Sequence, residues 1–77
     1  MSDPVEKIVA EALTERGFKF DRDNEVDLDF YLPSTGVYIE CKQFHTPRAI
    51  EQMARVPNVI LIQGVDAALA FAKMITN

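Results

Sequence analysis

Apolar positions near the start of the chain recur at helical spacing. In "DPVEKIVAEALTERG", Val5, Ile8, Val9, Ala12 and Leu13 form one stripe. Asp3 suits the N-cap, Pro4 the first helical position, and Glu6 stands three residues after the cap. Gly17 suits the stop. The period then shortens. "FKFDRD" alternates weakly and reads as a first strand, and "VDLDFYLP" reads as a second. Pro33, Ser34, Thr35 and Gly36 supply a turn, and "VYIECKQF" is the third strand. Pro47, preceded by His45 or Thr46, opens a second helix, "PRAIEQMARV", which Pro57 and Asn58 close. "VILIQG" is wholly apolar up to Gln63, as a buried central strand would be. "DAALAFAKMI" is a last helix with Asp66 as its cap. The predicted fold is α/β, in the order α-β-β-β-α-β-α. A helical crossover before the last strand implies a mixed four-stranded sheet with flanking helices. The whole chain, 1–77, reads as a single domain.

The hairpin "VDLDFYLPSTGVYIECK" places charges where buried sheet is expected. Alternation puts Val26, Leu28, Phe30 and Leu32 on the core face, and Asp27, Asp29 and Tyr31 on the other. In the next strand Val37, Ile39 and Cys41 face inward, and Tyr38, Glu40 and Lys42 outward. If Pro33 faces Gly36 across the turn, Asp29 lies opposite Glu40 and Asp27 opposite Lys42, with Cβ atoms about 5 Å apart. Asp27 with Lys42 is then an attractive pair, and Asp27 as a spare metal ligand is the lesser alternative. Asp29 with Glu40 is repulsive unless a cation lies between the two. A hard ion, Mg²⁺ or Mn²⁺, takes oxygen ligands of this kind. One cysteine and one histidine do not make a zinc site. The plain alternative is a solvated strand face with ordinary charges.

Composition changes this picture in two ways. Twelve acidic and eight basic residues give a net charge of −4, which argues against a general nucleic-acid coating protein. A single cysteine cannot form an intrachain disulfide, which fits a reducing compartment. No apolar run approaches the roughly 18 residues of a membrane span. The N-terminal residues lack a signal-peptide pattern, so a cytoplasmic protein is expected.

"DFYLPSTGVYIECK" resembles the core motif of the PD-(D/E)xK nuclease superfamily, the restriction-endonuclease-like fold. The pattern is an aspartate, a gap, then acid-x-lysine; here these are Asp29, Glu40 and Lys42, with Leu28 where the family name has proline. The tail "QMARVPNVILIQGVDAALAF" is similar to the small VRR-Nuc and Holliday-junction-resolvase-like branches. The resemblance covers nearly the whole chain and implies a minimal restriction-endonuclease-like core. It implies Mg²⁺- or Mn²⁺-dependent hydrolysis of a phosphodiester. Asp29, Glu40 and the backbone carbonyl of Cys41 would be metal ligands, with Lys42 catalytic. Glu6 matches the glutamate that many members carry in the first helix, with Glu11 as the lesser alternative, and Gln52 matches a polar residue of the following helix. The Cys41 side chain reads as core packing.

Arg48, Gln52 and Arg55 share a helix face that could touch phosphates; His45 could do the same from its loop. Lys7, Arg16, Lys19 and Arg22 look scattered. The implied substrate is DNA, branched or structured, with RNA left open. A chain this short has little room for a recognition module, so a homodimer or a partner protein would supply specificity. The rival reading is an inactive nuclease fold serving as an accessory or interaction module in DNA processing. Tyr31 and Tyr38 are ordinary cross-strand aromatics in either case.

Overall fold

The computed structural model describes residues 3–42, 51 and 56–76. Helix α1 spans Pro4–Glu15. The Asp3 carboxylate accepts from the Val5 N–H at 2.8 Å, and Pro4 occupies the first turn, where its missing N–H costs nothing. The helix ends in a Schellman motif. The Gly17 N–H donates to the Thr14 carbonyl and the Phe18 N–H to the Leu13 carbonyl. Gly17 sits at φ 83°, a region that disfavours any side chain, and Phe18 is thereby turned back against the core. Val5, Val9, Ala12 and Leu13 are buried, the face that the apolar spacing predicts.

The sheet has three strands in the order β1-β2-β3: β1 (Phe30–Leu32), β2 (Val37–Lys42) and β3 (Val59–Gln63). β1 and β2 pair antiparallel, with Phe30 opposite Ile39, Tyr31 opposite Tyr38 and Leu32 opposite Val37. This is the register obtained by setting Pro33 against Gly36. The Leu32 carbonyl accepts from the Thr35 and Gly36 N–H groups at 3.2 and 2.8 Å, and Gly36 at φ 71° closes the turn. β3 lies parallel to β2, so a crossover joins them, as expected. Helix α2 spans Val65–Thr76. Its first intrahelical bond runs from the Ala68 N–H to the Gly64 carbonyl. Gly64 is therefore the N-cap, and Asp66 lies inside the first turn.

Three expectations are corrected. "FKFDRD" is not a strand among the described residues. It contributes one antiparallel bridge, Asp21 with Tyr31, held by bonds of 2.8 and 2.9 Å, so the described sheet has three strands and not four. "VDLDFYLP" pairs only from Phe30 onward. Before it, the Asn24 side chain donates to the Leu28 carbonyl and accepts from the Leu28 N–H, and Asp27 takes φ 57°. The asparagine gives this loop a closure that competes with strand pairing. Third, β3 is an edge of the described sheet and β2 its centre; Ile60 is 42% exposed. The predicted second helix, 47–56, lies outside the described residues except for Glu51 and Val56.

One core joins the helices to one sheet face. Val5, Val9 and Leu13 meet Phe30, Leu32, Ile39, Cys41, Ile62 and Ala68. Phe20 packs edge-on against Phe30 at 5.1 Å. No helix among the described residues is long and apolar enough to cross a membrane. Truncating a fully buried core residue leaves a cavity, so Leu13→Ala is expected to cost about 2–5 kcal/mol. Met74→Ala, at a residue 76% exposed, should change stability by less than about 0.5 kcal/mol. Urea unfolding of both variants checks the contrast.

Candidate metal centre

β2 is buried on both faces over Ile39, Glu40 and Cys41. Its middle side chain is a carboxylate, and Glu40 is 3% exposed, the sole buried charged residue among those described. The hairpin register, continued one step past Phe30, brings Asp29 against it. The contact is direct. The Asp29 N–H donates to Glu40 Oε1 at 3.2 Å, and the Cys41 N–H donates to Asp29 Oδ2 at 2.7 Å. Asp29 has left the regular ladder but stays tied to β2 through its own side chain and amide. Lys42 Nζ lies 3.2 Å from Glu40 Oε2.

The electrostatics follow from this crowding. Burial, then the hydrogen-bonded and negatively charged Asp29 side chain, push the Glu40 carboxyl from its ordinary value near 4.5 up to about 7, with Lys42 opposing. Burial is also the largest reason that Glu6 is raised; the Asp29 charge adds to it, and Arg22 works against it. Glu6, on α1, thus belongs to the same electrostatic neighbourhood. The Cys41 thiol is buried, which pushes its pKa upward, so it packs as an apolar group and does not offer a thiolate. The Cys41 backbone N–H is the group that binds Asp29.

Arg22 was not singled out from the chain as part of the site. Its Nε donates to the Asp29 carbonyl at 3.0 Å, its Nη2 forms an ion pair with Glu6, and its guanidinium lies 4.4 Å from the Phe30 ring centroid. The Asp21–Tyr31 bridge explains this placement, because an antiparallel neighbour of β1 puts Arg22 beside Phe30. The signal was present in "FKFDRD", read as the partner of "FYL". The predicted attraction between Asp27 and Lys42 is absent among the described residues. Asp27 is exposed in the Asn24–Leu28 turn, and the carboxylate that Lys42 meets is Glu40. Glu11 is exposed. His45, Arg48, Gln52 and Arg55 lie outside the described residues.

The residues fit a hard divalent cation in one respect. Asp29 and Glu40 are all-oxygen donors whose mutual repulsion a cation would relieve. They fall short in another. Among the described residues no three His, Cys, Asp or Glu side chains are gathered closely enough to hold an ion. The third acid, Glu6, is turned to Arg22. The chain matches no family model, no curated protein and no solved structure.

A raised carboxyl pKa makes the folded chain bind a proton that the unfolded chain has released. Between about pH 4.5 and about 7, Glu40 therefore makes stability fall as pH rises, and above that window its full cost is present. Glu40→Gln should flatten this slope. The variant should match the wild type near the bottom of the window and exceed it in stability above the top. Urea midpoints measured across the window test both halves of the statement.

Proposed function

We propose that this domain is a metal-dependent phosphodiesterase acting on DNA, of the PD-(D/E)xK kind that its hairpin resembles, with a restriction-endonuclease-like core. The observation that carries the reading is the meeting of Asp29 and Glu40 across the hairpin, with Lys42 Nζ 3.2 Å from Glu40. Mg²⁺ or Mn²⁺ would be held by Asp29, Glu40 and the Cys41 carbonyl, with Glu6 as a further ligand. When bound, such an ion polarises a phosphoryl oxygen and acidifies a bound water.

The other tasks fall to the chain. Lys42 places an ammonium beside the acidic pair, where it offsets charge that grows on the phosphate in the transition state. Its contact with Glu40 also limits the repulsion between the two acids. Arg22 holds the Asp29 carbonyl, and so fixes the residue that crosses to β2. Gln52 is proposed as a catalytic residue, and Arg48, His45 and Arg55 as contacts to substrate. Branched or structured DNA is the proposed substrate class. A homodimer or a partner protein would supply specificity. Val65 and Leu69, one turn apart on α2, are exposed apolar residues that a second copy would cover.

One observation favours a second reading. Glu6 is engaged by Arg22, and no three acids converge among the described residues, as would suit an inactive accessory or interaction module built on the same fold. Cleavage of linear, flapped and four-way DNA with Mg²⁺ or Mn²⁺ separates the two. The nuclease reading expects Asp29→Ala and Lys42→Ala each to lower the rate by about 100-fold or more. It also expects Asp29→Asn with Glu40→Gln to abolish Mn²⁺ binding measured by calorimetry. Unchanged cleavage in both single variants overturns the centre assigned here, and no cleavage with no metal binding in the wild type rules for the module.

A further inference from the structure

A cavity of about 690 Å³ opens between the end of α1 and the β1–β2 turn, lined by Arg16, Gly17, Phe18, Lys19, Pro33 and Ser34. We infer that this cavity anchors the phosphodiester backbone of a single-stranded nucleic acid, with Arg16 and Lys19 as the phosphate contacts. The charge is the first reason. In a chain of net charge −4, the lining holds two cations and no acid. Among the described residues, ion pairs are formed by Arg22 and Lys42, not by Arg16 or Lys19. Both side chains belong to exposed residues.

The second reason is shape. Phe18 is fixed at the cavity by the Schellman motif and by packing on the core, yet it stays partly open to solvent. A concave site with two cations, a hydroxyl from Ser34 and one aromatic suits one backbone and a stacked base. It does not suit the two backbones of a duplex. Its volume also exceeds what an inorganic phosphate fills.

The third reason is direction. The Asp21–Tyr31 bridge runs the chain antiparallel along β1, so Lys19 falls beside Pro33 and Arg22 beside Phe30. The segment from Lys19 to Arg22 therefore runs from the cavity toward Asp29, with Arg16 beside Lys19 at the cavity end and Arg22 bonded to the Asp29 carbonyl. At about 3.3 Å per residue, the turn stands roughly 13 Å from Asp29. That is a few phosphate spacings along one strand. A strand held at the cavity would thus reach the acidic pair.

The inference rests on the nucleic-acid reading above, but its test needs no cleavage. Binding of a labelled oligothymidylate of about 12 nucleotides to the full chain is followed by fluorescence anisotropy in EDTA, over a range of KCl. Arg16→Gln with Lys19→Gln should weaken binding at low salt by about tenfold. It should also reduce the slope of log K against log salt by about 1.4, for two lost phosphate contacts. Ser34→Asp, which leaves both cations in place, should weaken binding as well, and Lys73→Gln on α2 should leave the slope as it was. Thermal melts confirm that each variant is folded. Affinity and slope unchanged in the folded double variant overturn the inference, as does a wild type that takes up inorganic phosphate but no oligonucleotide. Binding that depends on Arg16 and Lys19, in a chain that cuts no DNA, sustains the inference while removing the nuclease reading.

Discussion

A carboxylate in the middle of a strand buried on both faces is the constraint around which this domain is arranged. The neighbours of Glu40, Ile39 and Cys41, belong to the hydrophobic core, and shifting β2 by one residue would turn Glu40 into that core in their place. The chain must then accommodate an acid that has lost its water. It does so unusually, by opposing it with a second acid. Asp29 gives its amide proton to Glu40 and takes one from Cys41, so the two carboxyl groups act as a clasp beyond the last regular ladder pair. Lys42 offsets part of the charge. What remains is an electrostatic deficit located at one point on the hairpin.

That deficit makes the pair a costly way to build a hairpin. A hydrophobic residue at position 40 would build the same strand at lower cost, and an asparagine at position 29 could keep both hydrogen bonds, through its own N–H and its side-chain oxygen, without the charge. Their combination with an ammonium 3.2 Å away is an arrangement in which added positive charge would be favourable. Arg22 supplies some of it, from the side of α1, through Glu6 and the Asp29 carbonyl. The guanidinium and a metal ion would draw on the same acid, Glu6, which makes the state of Arg22 part of any account of the centre.

How much of this could be read from the chain depended on the range of the interaction. The α1 stripe and its Asp3 and Gly17 ends are local, and so was the β1–β2 register, since four turn residues, a glycine among them, decide it. The opposition of Asp29 and Glu40 followed from that register alone. The start of β1 was not legible because alternation in "VDLD" competes with a side-chain closure by Asn24, which pattern does not reveal. That closure carried Asp27 out of the ladder and left Lys42 to find Glu40 on its own strand. The burial of Glu40 was hidden too. "IECK" reads as a strand with one wet face, and only tertiary packing makes both faces dry. Arg22 was missed for the same reason: its neighbours, Glu6 and Phe30, come from other elements.

The peptide after β3 ties these parts together. Gly64, in a left-handed conformation at φ 86°, gives its N–H to the Lys42 carbonyl at 2.7 Å and its own carbonyl to the first turn of α2. One residue therefore joins the end of β2 to the base of a helix on the far side of the core. A tilt of α2 would act as a lever on the backbone that carries the ammonium group.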